Sequence, residues 1–91
     1  MIHSYRDRDT QSLAQRRRVK KFEAIENAAR KKLALLDAAS DLDDLASFPG
    51  LRLEKLKGDR AGQHSIRVND QYRLCFRWND GAHDVELTDY H

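Results

Sequence analysis

Arginine side chains alternate with large apolar side chains in residues 72–78. Because successive side chains of a β-strand point to opposite faces, this alternation predicts a strand with Arg73, Cys75 and Arg77 on its polar face. Arg67 occupies an outward position in the preceding apolar segment. Guanidinium groups bind phosphate through paired N–H donors, so this face is a candidate phosphate-binding surface. The other interpretation is that outward arginines simply solvate the strand.

The last three residues, Asp89, Tyr90 and His91, carry groups that move protons or hold a nucleotide. Histidine transfers protons near neutral pH, tyrosine stacks on a base or orients a phosphate, and a carboxylate accepts a proton or fixes a neighbour. The alternative is a frayed end without function, which is common for the last residues of a domain. Their place directly after a strand, beside a basic sheet face, makes a functional site as good an interpretation as a frayed end.

The loop of residues 56–62, Leu-Lys-Gly-Asp-Arg-Ala-Gly, combines two glycines with two basic side chains. Glycine permits positive backbone angles, and Lys57 and Arg60 are candidate phosphate ligands there. Hairpin loops without a function share this composition. The four histidines show no metal-ligand spacing, and one cysteine cannot build a thiolate site. No phosphate-loop or nucleophile motif is present, so the sequence predicts no metal and no cofactor.

The first half of the chain must supply helices that support these residues. Apolar residues spaced three and four apart indicate the longest helix, and capping residues indicate where helices begin. The predicted elements are a short strand over residues 2–5, a helix from an N-cap at Thr10 to about Arg18, a helix over residues 19–39, and a helix over residues 41–47 that begins with a capping box at Ser40.

After Gly50 the apolar residues repeat with the period of two that is typical of strands. Asn-Asp and Asn-Asp-Gly turn signals separate three of the apolar runs, which predicts antiparallel hairpins. The predicted strands are residues 53–56, 66–68, 72–78 and 85–87, of which the last three form a meander. The sequence therefore predicts an α+β domain, with the N-terminal strand and the helices packed on one face of a small antiparallel sheet.

The length of 91 residues fits one domain, residues 1–91, with room for one core and little for a deep pocket. The formal net charge of +2 conceals a separation of charge, since residues 1–32 hold ten basic and four acidic side chains, whereas residues 33–50 hold four acidic ones and no base. A basic first third attracts a polyanion over one face, with Arg17, Lys20 and Lys21 as candidate RNA contacts. The other interpretation is a solvated helix face.

The sequence also indicates where the protein works. No apolar run approaches the roughly 20 residues of a membrane span. The first residues lack the basic and then apolar order of a secretory signal. A single cysteine can form no internal disulfide, which fits a reducing compartment. These observations predict a soluble, cytoplasmic protein.

The C-terminal 42 residues contain four sequence blocks in a specific order and spacing. They are Leu-Arg-Leu-Glu-Lys-Leu-Lys-Gly-Asp-Arg at 51–60, Ser-Ile-Arg-Val-Asn at 65–69, Gln-Tyr-Arg-Leu-Cys-Phe-Arg-Trp at 71–78, and Asp-Tyr-His at 89–91. These blocks closely resemble the HigB toxins, which belong to the RelE superfamily. The helical first half resembles the same family in layout, and the resemblance implies the family's RelE-like α+β fold.

The resemblance implies a type II toxin, a ribosome-dependent endoribonuclease that cleaves mRNA in the A site of the 70S ribosome and so inhibits translation and growth. It implies a HigA-like helix-turn-helix antitoxin as partner, with operator DNA reached only through that antitoxin. The implied chemistry is attack of an RNA 2′-hydroxyl on the adjacent phosphate without a metal. Two alternatives stay open: a RelE-fold toxin with another target, such as DNA gyrase, and a non-catalytic module that binds RNA or an antitoxin.

The resemblance also assigns roles to individual residues. Arg73 matches the phosphate-stabilising arginine of the family, and Lys57 matches a basic residue of the active-site loop. Asp89, Tyr90 and His91 match the C-terminal catalytic triplet, in which the tyrosine orients or stacks on a nucleotide while its neighbours transfer or position protons. The further candidate contacts to RNA or the ribosome are Arg60, Arg67 and Arg77.

One position departs from the family pattern. Some members have histidine two residues before the Leu of the Leu-Lys-Gly motif, where this chain has Glu54. A carboxylate can act as a base, but it also repels phosphate. The general base therefore stays open between His91, which is favoured, and Glu54, whose alternative role is that of a surface residue on a strand.

Overall fold

The computed structural model describes residues 1–89, so Tyr90 and His91 lie outside the described residues. Within residues 1–89 the chain forms three α-helices, three 3₁₀ helices and four strands, which confirms the predicted α+β class. In chain order the elements are α1 Arg8–Ala14, a 3₁₀ helix Lys20–Ile25, α2 Glu26–Ala38, α3 Leu42–Ala46, a 3₁₀ helix Pro49–Leu51, β1 Glu54–Lys55, a 3₁₀ helix Gly58–Arg60, β2 His64–Arg67, β3 Arg73–Trp78 and β4 Ala82–Thr88.

The four strands form one antiparallel sheet in the order β1-β2-β3-β4. Asn69 closes the β2–β3 hairpin, because its side-chain oxygen accepts the backbone N–H groups of Gln71 and Tyr72 at 2.9 and 2.7 Å. Gly81 closes the β3–β4 hairpin with a φ of +123°, a conformation that favours glycine. The predicted meander is confirmed, and β1, a shorter strand than the predicted residues 53–56, joins its edge.

One face of the sheet, the core face, packs against the helices. The buried core combines Leu33 and Leu36 of α2 with Leu74 and Phe76 of β3. Burial of each such side chain contributes about 2 kcal/mol to folding. The alternation of residues 72–78 therefore predicted the inward face of this strand correctly.

The predicted N-terminal strand is wrong as a separate element. Residues 2–5 make only two isolated parallel bridges to β4, at Ile2–Ala82 and Tyr5–Val85. Asp84 interrupts the ladder between these bridges, because its φ of +53° lies outside the extended range. Its backbone N–H donates to the side-chain oxygen of Ser4 at 2.9 Å. The N-terminal segment therefore covers the edge of β4 without forming a regular fifth strand.

The first helix begins and ends earlier than predicted. Asp7, and not Thr10, is the N-cap of α1, and its carboxylate accepts the backbone N–H of Thr10 at 3.1 Å. Thr10 is fully buried, and its hydroxyl oxygen accepts the backbone N–H of Leu87 at 3.0 Å, which ties α1 to β4. The helix ends at Ala14 and does not reach Arg18, since Arg16 adopts a φ of +63°.

The predicted helix over residues 19–39 consists of two elements. Residues 20–25 wind as a 3₁₀ helix, in which the backbone N–H of Phe22 donates to the carbonyl of Val19, and α2 begins only at Glu26. The third helix is shorter than predicted, and its N-cap is Asp41 and not Ser40. No helix in residues 1–89 combines the length and apolar composition that crossing a membrane requires.

Candidate functional site

The side of the sheet opposite the core face is called the polar face here. Strand pairing joins Glu54 to Ser65, Ser65 to Cys75, and Cys75 to Glu86, and paired residues of neighbouring strands share a face. A bulge between Cys75 and Arg77 interrupts the pairing of β3 with β4. The polar face therefore carries Glu54, Ser65, Arg67, Arg73, Cys75, Arg77 and Glu86.

Arg73 holds a fixed position on the polar face. Its Nε donates to the hydroxyl oxygen of Ser65 at 2.8 Å, and its Nη2 donates to the backbone carbonyl of Arg52 at 2.6 Å. The side chain is only 13% exposed, and the Glu54 carboxylate lies 4.0 Å from Nη2. Nη1 makes no hydrogen bond to any residue of the described chain. The guanidinium is thus held on one side, and within residues 1–89 its Nη1 keeps its donors for another group.

Cys75 lies on the polar face, as the alternation predicted, but it is fully buried there, and so is Ser65. The reason is that long side chains lie back over the middle of the polar face. Arg60 spans it and donates to the carboxylate of Glu86 at 3.0 Å and to the side-chain oxygen of Gln63 at 3.1 Å. Burial raises the pKa of the Cys75 thiol, so it stays protonated near neutral pH.

The loop between β1 and β2 presents its two basic residues differently. Lys57 is exposed, and its ammonium group makes no ion pair or hydrogen bond within residues 1–89. Arg60, by contrast, is partly buried in the ion pair with Glu86. Gly62 has a φ of +87°, and a Cβ atom there would lie 2.8 Å from Nη1 of Arg77. Lys57 is therefore available to an anion, whereas Arg60 also supports the face.

Strand register places the candidate residues at two ends of the polar face. Arg73 pairs with Thr88, which Asp89 follows in the chain, and Gln71 donates from Nε2 to the Asp89 carboxylate at 3.2 Å. Arg67 pairs with Arg73 across the strands, and its guanidinium binds the exposed Asp70 carboxylate. Arg77 and Lys57 lie toward the opposite end, where Gly62 approaches Arg77. Arg73, Glu54 and Asp89 therefore share one end.

The basic segment of the first third lies near the Arg73 end of the sheet. Phe22 packs edge to face against Tyr72, which directly precedes Arg73, with ring centroids 5.8 Å apart. The Lys21 ammonium binds the Asp9 carboxylate at 2.9 Å, and this hydrogen bond raises the pKa of Lys21. Lys20 and Arg17 are exposed. The segment thus extends the positive surface beyond the sheet itself.

Histidines and acidic residues form no metal cluster in the described part of the chain. No group of three or more His, Cys, Asp or Glu converges within residues 1–89. His3 and His83 stack with ring centroids 4.5 Å apart, and each Nε2 lies against a backbone carbonyl. His64 packs beside Phe76, and burial lowers its pKa.

Sequence reasoning missed the groups that hold Arg73 and Asp89 in place. Ser65 is two residues before Arg67 and therefore shares its face, so alternation alone could have placed it beside Arg73. The Arg52 carbonyl and Gln71 gave no signal, because a backbone acceptor and a turn amide have no characteristic pattern. The supports of a site are harder to predict than its charged groups.

Comparison with known proteins decides the family. A family model described as the RelE-like toxin of the type II toxin-antitoxin system HigB matches residues 3–91. The chain belongs to the HigB-like toxin family. The resemblance and the RelE-like fold expected from it are confirmed, since the HigB-like match covers the helical half as well as the sheet.

Two relatives of this HigB-like chain were found among curated proteins. Toxin HigB-1 of Vibrio cholerae is 55% identical over 59 residues, which cover 65% of this chain and 62% of the relative. An uncharacterized protein of Haemophilus influenzae is 34% identical over 61 residues, which cover 67% of this chain and 60% of the relative. The similarity thus spans less than two thirds of the length of either relative.

Proposed function

We propose that this chain is a type II toxin that cleaves mRNA in the A site of the 70S ribosome and so inhibits translation and growth. One observation carries the proposal: the Arg73 guanidinium is fixed by two hydrogen bonds on a polar face, and its Nη1 binds no residue of the described chain. A prepositioned guanidinium stabilises negative charge that develops on a phosphate without having to reorganise. This activity belongs in the cytoplasm.

The proposed reaction needs a base, an acid and a positive charge on the phosphate. The ribose 2′-hydroxyl gives its proton to the base while its oxygen attacks the adjacent phosphorus. The bond from phosphorus to the 5′-oxygen then breaks, and that oxygen takes a proton from the acid. The products are a 2′,3′-cyclic phosphate and a 5′-hydroxyl. Arg73 binds the oxygens of the reacting phosphate as their negative charge rises, and Lys57 is a second phosphate contact toward the opposite end of the polar face. The residues of this chain supply the remaining groups.

The proton carriers are assigned to the Arg73 end of the polar face. Asp89 directly follows Thr88, the residue that pairs with Arg73, and it is exposed and accepts a hydrogen bond from the Gln71 amide. We assign proton transfer or positioning to Asp89 and His91, and nucleotide stacking or orientation to Tyr90. Glu54 is the second candidate base, because its carboxylate is 57% exposed and lies beside Arg73.

Binding of the ribosome and its mRNA is assigned to exposed positive charge. Lys20 and Arg17 are exposed, Lys21 extends the same segment, and Arg77 is half exposed on the sheet. Arg67 and Arg60 also contribute positive charge, although each guanidinium forms an ion pair with a carboxylate of this chain. Contacts of this kind release counterions, so we expect binding to weaken as salt rises. A substrate presented by the ribosome requires a face and no deep pocket.

The central experiment expresses the parent, Arg73→Ala and a variant that ends at Asp89, and measures growth arrest and A-site cleavage. We expect both variants to lose at least about a hundredfold in cleavage rate, as removal of one charge-stabilising donor does elsewhere. Lys31→Ala is the matched control, since it removes one exposed positive charge from the outer side of α2. If both variants stay folded and as toxic as the parent, the assigned site is wrong.

A conservative substitution separates the proposal from its alternatives. Arg73→Lys keeps the positive charge but removes the forked donors, so a phosphate-binding role predicts a large loss of cleavage. A module that only binds RNA or an antitoxin predicts that the same variant behaves like the parent. Damaged DNA with intact mRNA after induction would instead support a toxin that acts on DNA gyrase.

The proposed partner is a HigA-like helix-turn-helix antitoxin, and operator DNA is contacted only through it. Membership of a type II toxin family supports an antitoxin partner. The test is to co-express the short reading frame beside this gene and to measure rescue of growth and co-purification of the two proteins. A neighbouring frame that neither binds nor rescues would contradict the assignment.

A further inference from the structure

The two hydrogen bonds of Arg73 use one particular edge of its guanidinium group. Nε and Nη2 point along the same side edge of the planar group, and they donate to the Ser65 hydroxyl and the Arg52 carbonyl. The Ser65 carbonyl lies 3.5 Å from the same Nη2. Nη1 and the second hydrogen of Nη2 form the end edge, which is the other face able to bind an anion with two parallel donors.

Ser65 provides a rigid support for this arrangement. It is fully buried in β2, where it pairs with Cys75 on one side and Glu54 on the other. Because the Ser65 side chain is fully buried, its hydroxyl oxygen has little room to follow the guanidinium if the guanidinium turns. Its hydrogen bond to Nε therefore sets the rotation of the Arg73 side chain.

Arg52 provides the second support through its backbone and not its side chain. It follows the 3₁₀ helix Pro49–Leu51 and adopts a left-handed conformation with a φ of +46°. Non-glycine residues rarely adopt this conformation, and it persists only where surrounding contacts maintain it. Here it directs the Arg52 carbonyl to within 2.6 Å of Arg73 Nη2.

The Glu54 carboxylate shows what the supports prevent. It lies 4.0 Å from Nη2, at the limit of an ion pair, although two mobile groups of opposite charge would approach more closely. If Arg73 were free to turn toward Glu54, that carboxylate would occupy the end edge. The supports thus hold the end edge away from Glu54.

We propose that the Ser65 hydroxyl and the Arg52 carbonyl form a clamp that directs the end edge of Arg73 toward the scissile phosphate. Ser65 is thereby a positioning residue, which contacts Arg73 and not the phosphate. The inference deepens the proposed nuclease function and rests on it. The geometry of the clamp itself, however, can be measured without any RNA.

The activity test compares Ser65→Ala with Ser65→Thr. Ser65→Ala removes the acceptor of Nε, and we expect kcat for mRNA cleavage to fall about tenfold to a hundredfold, with KM changed less than threefold, because misplacement affects the transition state most. Ser65→Thr restores a hydroxyl oxygen, and we expect it to recover most of that loss. Equal kcat values for the parent and a folded Ser65→Ala would overturn the positioning role.

The second test reads the Nε–H signal of Arg73 by ¹⁵N NMR in the free protein. We expect a resolved, slowly exchanging signal in the parent and in Ser65→Thr, and a fast-exchanging signal at the position of exposed arginines in Ser65→Ala. An unchanged signal in Ser65→Ala overturns the clamp whether or not the protein cleaves RNA. A changed signal in a protein that cleaves no mRNA supports the clamp and contradicts the proposed function.

A third comparison addresses the backbone support. Arg52→Gly adopts the left-handed conformation readily, whereas Arg52→Val disfavours it because valine is branched at Cβ. We expect Arg52→Val to lose at least about tenfold more kcat than Arg52→Gly. The reverse order, or equal losses in two folded variants, would remove Arg52 from the clamp.

Discussion

Phe76 and Cys75 are neighbours in β3 and both are fully buried, yet different groups cover them. Apolar side chains of the core surround Phe76, whereas guanidinium and carboxylate groups surround Cys75 on the polar face. A buried apolar region loses stability when side-chain volume is removed, whereas a buried charged region loses stability when one charge loses its partner. The comparison teaches that the core face sets the stability of the fold, while the polar face sets the positions of its charges.

The largest effect is expected from lost volume on the core face. Phe76→Ala should lower the free energy of unfolding by about 3–5 kcal/mol, because it leaves a cavity among fully buried side chains. Urea unfolding followed by circular dichroism measures this. Arg77→Ala, in the same strand but half exposed, should change the free energy by less than about 1 kcal/mol. Similar losses in both variants would contradict the comparison.

A smaller effect is expected from the loss of an ion pair on the polar face. Glu86→Gln removes the carboxylate that binds Arg60 at 3.0 Å and lies 3.9 Å from Arg6. Because the pair is partly exposed, we expect a loss of about 1–2 kcal/mol in the same measurement. Asp70→Asn is the matched control, since it breaks the ion pair of Arg67 with a fully exposed carboxylate. If Glu86→Gln and Asp70→Asn lower the free energy of unfolding equally, Arg60 and Glu86 do not behave as a buried ion pair.

A pH-dependent effect is expected from the thiol beneath those ions. Burial raises the pKa of Cys75, so the folded protein keeps the thiol proton to a higher pH than the unfolded chain does. Stability from this group is complete below the unfolded pKa of about 8.5 and is lost as the pH rises above it. Between pH 7 and 9.5 the parent should lose up to about 1 kcal/mol more than Cys75→Ala. If the free energy of unfolding changes equally with pH in the parent and in Cys75→Ala, the result contradicts a buried thiol.

The smallest effect is expected where charge stays in water, on the basic segment of the first third. Lys20→Gln should leave stability unchanged and reduce the salt dependence of binding to a single-stranded RNA by about 0.7 in the slope of log K against log salt. Lys31→Gln on the outer side of α2 is the control. An equal change in the slopes of Lys20→Gln and Lys31→Gln would show that binding depends only on net charge.

Alternation and turn residues were sufficient to predict the sheet. They placed Arg73 and Leu74 on opposite faces and located both hairpins, because side-chain direction in a strand is a local property. The helix ends were predicted less well. Asp7 and Asp41 are the caps where Thr10 and Ser40 were predicted, since all four side chains can cap and only tertiary contacts decide among neighbours.

The interior of the site could be predicted only in part. Arg73 and Lys57 carry charge that the sequence displays, but the burial of Cys75 depends on Arg60 and Glu86, which are 26 residues apart, meeting above it. Likewise, the Arg52 carbonyl reaches Arg73 across 21 residues. Such contacts follow from the register of several strands together. The roles of the residues at 89–91 stay predictions.

The two edges of the sheet are closed in different ways, and this bears on self-association. β1 has two residues, so its edge offers few unpaired backbone groups to another strand. β4 has seven residues, and its outer edge is covered by the bridges from Ile2 and Tyr5, by the Ser4 side chain at Asp84 and by the Thr10 hydroxyl at Leu87. Removal of residues 1–6 would expose a long edge strand that can pair with the same strand of a second copy. The N-terminal segment therefore protects the sheet edge against aggregation in addition to its part in the fold.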